Sequence, residues 1–333
     1  MDDIISLSHG SGGKKTSELI EEIFIPAFSN DELNKLMDGA VVNINGDIVI
    51  STDSFVVSPY FFPGGDIGKL SVCGTVNDIC MCGGIPQYLT LSFIIEEGFK
   101  IKDLKKIVNS ISFTAKECNV KIVTGDTKVV EKGKGDGIYI NTSGVGRLRY
   151  KGLGVEKIKE GDSVIITGTI GDHGAAVMTG RSNIITSKDL KSDCAPMINL
   201  SNEILNYGEM VKIMRDPTRG GLATTLNEFI ENSSLSILIN EKDIPINSYV
   251  KSACEILGLD ALYFANEGKI AAVVDSSIAD ELIKNLRKYE EGKNAAIIGK
   301  VISGHSGKVI LKTEIGGKRI ISKLSGQDLP RIC

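Results

Sequence analysis

The stretch from Gly64 to Gly84, GGDIGKLSVCGTVNDICMCGG, restricts the possible folds more than any other. Its glycines bracket a helix that is apolar nearly all round, and such a helix is stable only when it is covered on every side. That predicts a layered α/β or α+β unit with the helix enclosed rather than lying on a surface. Asp78, a charge inside this otherwise apolar helix, is costly to bury without a cation, a strong set of hydrogen bonds or a cavity.

The flanking segments supply the layers. Apolar residues at helical spacing run from Lys15 to Phe28. GDIVISTDSFVVSP, YLTLSFIIEE, VKIVTGDTKVV and GIYINTSGVGRL read as strands, and IKDLKKIVNSISFTAKEC as an amphipathic helix. At Glu160 the order restarts with EGDSVIITGTIGDHGAAVM, a strand, a glycine-rich loop and a helix. DPTRGGLATTLNEFIENS enters another helix, and GKIAAVVD, AAIIGKVIS, GKVILKT and KRIIS are strands. The expected division is an arm and helix over 1–40, an α/β domain over 41–152, a second over 153–322, and a tail over 323–333.

Of the 333 residues 42% are hydrophobic and 24% charged, and the net charge is −4, so a globular protein without a nucleic-acid partner is expected. The N-terminus starts acidic and lacks an apolar core, and no apolar run reaches the roughly 18 residues of a membrane span, so a cytoplasmic location and no membrane partner are expected. The seven cysteines show no paired extracellular spacing. Cys73, Cys80, Cys118 and Cys254 sit among apolar residues, and the Cys80–Cys82 pair is expected in the core rather than on a metal, because no second ligand pair follows it. Cys333, the last residue, stands outside any apolar pattern.

Standard nucleotide loops are absent. In SHGSGGKKTSE the positions where a P-loop needs its first glycine and its hydroxyl hold Ser8 and Lys15. Its glycines and serines still offer backbone N–H groups to phosphates, or simply form a flexible arm. Five aspartates stand at strand or helix ends or in the enclosed helix: Asp53, Asp66, Asp78, Asp126 and Asp216. Singly each suits a cap, turn or ion pair; together they suit Mg²⁺ and polyphosphate held without a P-loop. Lys128 and Glu267 read as a solvated lysine and a turn residue on position alone.

LSHGSGG, TDSFVVSPYFFPGGDIGKL, VNDI, LSFIIEEG, VTGDTKVV, GDHG, RDPTRGGLA, NEGK and terminal PRIC together resemble the HypE family of hydrogenase maturation proteins, in that family's order and over nearly the whole chain. HypE proteins belong to the superfamily of aminoimidazole ribonucleotide synthetase and selenophosphate synthetase. The resemblance implies a two-domain PurM-like fold, a homodimer formed by the N-terminal domain, ATP between the domains, and a flexible C-terminal tail. It implies Mg²⁺ on Asp53, Asp66, Asp78, Asp126 and Asp216. It also implies ATP contacts from His9, Gly10, Ser11, Gly12, Gly13, Thr52, Gly64, Gly65, Asp66, Lys69, Asn77, Thr124 and Gly125, and catalysis by Cys333, Lys128 and Glu267. The implied partners are the carbamoyltransferase HypF, which loads Cys333, and the HypC–HypD complex, whose iron receives the cyanide. The implied reaction is ATP-dependent dehydration of an S-carbamoyl group on Cys333 to a thiocyanate.

Three rival readings differ in where they need a thiol. Selenophosphate synthetases carry a reactive Cys, selenocysteine or Lys in the N-terminal arm, which here has lysines but no cysteine. Thiamine-phosphate kinases need no terminal thiol, and a non-catalytic docking scaffold needs no aspartates. From Lys323 to Cys333 the chain has 11 residues, a reach of roughly 35–40 Å when extended.

Overall fold

The computed structural model describes residues 3–182, 188–323 and 332. Cys333, and the tail residues 324–331, lie outside the described residues.

The elements in chain order are α1 (Lys14–Leu19), α2 (Ile25–Phe28), β1 (Ile48–Phe55), β2 (Phe61–Phe62), β3 (Gly65–Asp66), α3 (Ile67–Met81), β4 (Gly84–Glu96), α4 (Ile101–Glu117), β5 (Lys121–Val130) and β6 (Ile138–Leu148). They continue with β7 (Ser163–Ile166), α5 (Asp172–Ser182), α6 (Ile198–Leu205), β8 (Val211–Arg215), α7 (Gly221–Ile230), β9 (Leu235–Asn240) and α8 (Ser248–Leu257). β10 (Ala271–Val274), α9 (Ser276–Leu286), β11 (Ala296–Ser303), β12 (Val309–Lys312) and β13 (Lys318–Ile321) complete the described elements. A four-stranded sheet has the order β1-β6-β4-β5, and a seven-stranded sheet the order β13-β12-β9-β11-β7-β10-β8. Every pairing is antiparallel except β4 with β5 and β9 with β12. Among the described residues no helix is long and apolar enough to cross a membrane.

α3 is the enclosed helix that its composition predicts. All of its residues are buried except Lys69 and Asp78. Gly68 lies against the carbonyl of Ile107 in α4, where an added Cβ would stand 2.5 Å from the oxygen. Gly74 faces the ring of Phe55 in β1 at 2.8 Å on the same measure. The helix is thus wedged between α4 and the sheet at two positions where only hydrogen fits. α4 buries Ile101, Leu104, Ile107, Val108, Ile111 and Ala115, the i, i+3, i+4 stripe of an amphipathic helix.

Two expectations need correction. The helix read over 15–28 is α1, a π-helical turn over Ile20–Phe24, and α2. Pro26 has no N–H for the carbonyl four residues back, so α-helical bonding cannot run through unchanged. Cys80 is buried, but Cys82 is exposed, because α3 ends at Met81 and Cys82 is its capping residue.

The sheets are joined through apolar residues. One continuous buried cluster includes Ile67, Val72, Leu104 and Ile140 around the first sheet, and Ile165, Val211, Ala272 and Leu282 around the second. Ile332, only 4% exposed, belongs to the same cluster.

Candidate active site between the two sheets

Strand parity decides which aspartates meet. Successive side chains on a strand point to opposite faces, and paired residues on neighbouring strands point to the same one. Asp53 pairs with Thr142, Thr142 with Leu91, and Leu91 with Gly125. Gly125 therefore shares the α3-facing side with Asp53, and Asp126 points the other way. Lys128 follows Asp126 on that outer face, with its Nζ 2.6 and 2.5 Å from the two Asp126 carboxylate oxygens. This partner holds the Asp126 carboxyl below its usual range.

On the α3 side the Ser51 hydroxyl donates to Asp78 at 2.6 Å. Burial raises the Asp78 carboxyl despite that bond, and the Asp53 charge adds to the rise. Asp53 accepts from the Ser54 N–H at 2.7 Å and is itself raised by burial. Asp216, just past β8, is pushed up to about 7, first by burial and then by the charge of Asp78, with Asp53 contributing. Asp53, Asp78 and Asp216 therefore form one electrostatically coupled group drawn from three elements. Asp66 is separate: it caps α3, accepting from the N–H of Gly68 at 2.7 Å and Lys69 at 3.2 Å. Its own carboxylate thus occupies the helix N-terminus that would otherwise attract an anion.

Among the described residues no three of His, Cys, Asp and Glu converge tightly enough to enclose a metal ion. The donor set still suits Mg²⁺, which takes one or two carboxylates and leaves the other positions to water and substrate phosphates. Carboxyls that raise one another are a group in want of a cation.

Glu267 is nearer to the centre than its position in a loop before β10 suggests. It is 3% exposed, and its Oε1 has no hydrogen-bond partner among the described residues. Burial first, then Cys194, Asp216, Asp193 and Asp53, raise its carboxyl well above the usual range. The segment 192–197 holds this region together. The Glu267 N–H donates to Asp193 Oδ1 at 3.1 Å, and the Ala195 N–H to the Glu267 carbonyl at 3.2 Å. Gly268 passes so close to the Asp193 carbonyl that any Cβ there would collide with it. Asp193 also forms a buried ion pair with Lys269 at 3.2 Å. Sequence reading missed Asp193 and Lys269; the one available signal was a lysine two residues after Glu267 in NEGK.

Several expected ATP contacts have structural roles as well. The Asn77 amide donates to the Ala195 carbonyl at 3.1 Å and accepts from the Met197 N–H at 2.7 Å, tying α3 to the second sheet's side. His9 is buried and bonded to Ser6 through Nδ1. Thr52 lies on the outer face and is bonded to Thr142 and Ser143. In the glycine arm, an added Cβ on Gly10 would stand 2.6 Å from the Val129 nitrogen, so the arm starts flush against β5 beside Lys128. Ser11, Gly12 and Gly13 follow it. Gly64, at φ +91°, abuts Ser192; Gly65 follows it, paired with Phe62. Thr124 and Gly125 line an open cavity of about 320 Å³ together with Phe24, Phe28, Leu33 and Phe93.

Two domain families match this architecture. Residues 36–148 match the N-terminal domain of AIR synthase related proteins, and residues 159–312 match the C-terminal domain. The chain belongs to the AIR synthase related proteins, which have the PurM-like fold. Within them it belongs to the HypE family of hydrogenase maturation proteins. The carbamoyl dehydratase HypE of Cupriavidus necator is 45% identical, over 99% of this chain and 95% of that protein. A crystal structure of HypE in complex with ATP superposes with a TM-score of 0.94 at 40% identity, covering 98% and 99% of the two chains. A chain from a crystal structure of the HypE–HypF complex is 49% identical with a TM-score of 0.80, covering 92% and 99%.

Proposed function

We propose that this chain is an ATP-dependent carbamoyl dehydratase whose substrate is an S-carbamoyl group on its own Cys333. The observation that carries the reading is Glu267, a buried carboxyl whose Oε1 has no hydrogen-bond partner among the described residues, in a cluster of acids, in a chain where Ile332 is seated in the same core.

A carbamoyl group does not lose water readily, because hydroxide is a poor leaving group. The carbamoyl oxygen attacks the γ-phosphorus of ATP, ADP leaves, and nitrogen gives up one proton. The resulting –S–C(=NH)–O–phosphate loses phosphate and its second N–H proton, leaving –S–C≡N. Glu267 takes one proton at each step, giving up the first before it takes the second; burial in a cluster of acids makes its carboxylate a stronger base than an exposed one. Asp53, Asp78 and Asp216 hold the Mg²⁺, with Asp66 and Asp126 as the outlying members of the family set. Mg²⁺ supplies neutralisation of charge on the transferring phosphoryl group. Gly10 to Gly13 close over the phosphates. The 320 Å³ cavity beside Thr124 and Gly125 takes the base of ATP, since its size and aromatic walls suit a flat ring.

The protein acts as a homodimer through the outer face of the four-stranded sheet, where Ile48, Ile50 and Ile94 are 49%, 66% and 45% exposed. That is also the face of Lys128. Lys128 stabilises the phosphorylated carbonyl oxygen and does so across the dimer, because its own chain turns it away from Asp53 and Glu267. The carbamoyl donor is HypF, and the cyanide passes to the iron of HypC–HypD.

Incubation with ATP, Mg²⁺, carbamoyl phosphate and the carbamoyltransferase, followed by intact-mass analysis, tests the reading. A carbamoyl adduct on Cys333 and then a species one water lighter are expected. Both species persisting after deletion of Cys333 would sink it.

A further inference from the structure

His173 makes a set of contacts that the proposed chemistry leaves unused. It is the second residue of α5, and its ring is fully buried. Nε2 lies 2.7 Å from the carbonyl oxygen of Ile332, and Nδ1 lies 2.8 Å from Ser192 Oγ. A carbonyl oxygen only accepts, so Nε2 carries the proton. Burial lowers the imidazole pKa and keeps the ring neutral, so Nδ1 is bare and accepts the Ser192 hydroxyl proton. Ser192 is fixed in turn: its Oγ accepts from the Cys194 N–H at 3.0 Å, and its own N–H donates to the Pro63 carbonyl at 2.8 Å. Phe62 packs edge-on against the imidazole, with ring centres 5.4 Å apart at 90°. The ring is therefore locked in one tautomer with its single N–H aimed at the chain end.

The segment that locks His173 is also the one that holds Glu267. Ser192 bonds the imidazole and is itself held by the Cys194 N–H, while Asp193 and Ala195 bond the Glu267 backbone. The seat of Ile332 and the proposed base are thus referenced to one short stretch of chain.

We propose that His173 is a positioning residue, whose Nε2–H grips the Ile332 carbonyl and seats the chain end for dehydration, and whose release frees Cys333 for the partners. This rests on the dehydration of a Cys333 carbamoyl group proposed above, but the seat itself is testable without it.

The test uses the full chain, without ATP, and follows alkylation of Cys333 by iodoacetamide through peptide mass analysis. The exposed Cys82 serves as an internal control. His173→Leu, which cannot donate, is expected to alkylate at Cys333 about ten-fold faster with Cys82 unchanged, ten-fold being about 1.4 kcal/mol. His173→Gln keeps a donor and should restore most of the protection. Ser192→Ala, which removes the proton that fixes the tautomer, should fall between. In single turnover, dehydration of the carbamoylated His173→Leu chain should slow about ten-fold, while its loading by the carbamoyltransferase does not. Unchanged Cys333 alkylation in both His173→Leu and Ser192→Ala overturns the seat. If His173→Leu fails to fold, Ser192→Ala and His173→Gln decide alone. A wild-type chain that takes up carbamoyl but never loses water overturns the functional reading, whatever the alkylation rates.

Discussion

Lys269 Nζ lies 3.2 Å from Asp193 Oδ2, and both side chains are buried, at 9% and 4% exposed. The other oxygen of Asp193 accepts the Glu267 N–H, so the ion pair sets the backbone that carries the proposed base. Removing one partner leaves an uncompensated buried charge, which costs about 3–5 kcal/mol. Lys269→Ala should therefore lower the denaturation midpoint strongly, whereas Lys269→Met combined with Asp193→Leu should cost much less. Equal losses in urea titrations of the single and double variants would show that the pair is not what the site rests on.

Glu267 should show the opposite pattern. Its buried carboxyl, with Oε1 unbonded among the described residues, is held well above its usual range by burial, a cost the folded chain carries. Glu267→Gln should leave thermal stability unchanged or raised, while the carbamoylated chain stops before losing water. A fall of at least about 100-fold in the dehydration rate is expected for loss of a general base. Normal thiocyanate formation in this variant would remove Glu267 from the mechanism.

The Asp216 carboxyl gives the pH dependence its sign. Its folded pKa, pushed up to about 7, lies above that of the unfolded chain. The stability it contributes is thus fully present below the unfolded carboxylate range and is lost as pH rises from about 4 through 7. On the proposed assignment Mg²⁺ would bind the ionised form and offset the loss. The melting temperature should therefore rise more with Mg²⁺ at pH 8 than at pH 5, and Asp216→Asn should abolish the difference. An equal Mg²⁺ effect at both pH values would contradict the assignment.

Lys128 and Glu267 can be separated by complementation. If one site takes Lys128 from one protomer and Glu267 from the other, mixing Lys128→Ala with Glu267→Ala chains rebuilds intact sites. Random pairing then returns up to about a quarter of wild-type activity, since half of the dimers are mixed and half of their sites are intact. No recovery would mean that both residues act within one chain.

Much of this was legible in order and type. The enclosed helix α3 follows from its composition, because a helix with no polar face has nowhere to lie but between layers. The strands β1, β4, β5 and β6 follow from runs of β-branched and aromatic residues between turn signals. Less legible were α6, α8 and α9, and strands β8 and β9, which are short and lie among mixed-polarity segments. The motifs brought the HypE family into view, and with it a set of aspartates that the chain presents as equals.

The sequence by itself determined the enclosed helix, the two α/β segments and the residue types available for phosphate and proton chemistry, because apolar pattern and local turn chemistry are properties of neighbours in the chain. Only the tertiary structure decided which of those residues meet. Asp53, Asp78 and Asp216 lie within electrostatic reach of one another, Asp66 turns back to cap its own helix, and Asp126 with Lys128 faces away. The parity of four paired strands sets that division, and no spacing within a single strand contains it. The grip of His173 on Ile332 joins residues 159 positions apart, and only packing brings them together.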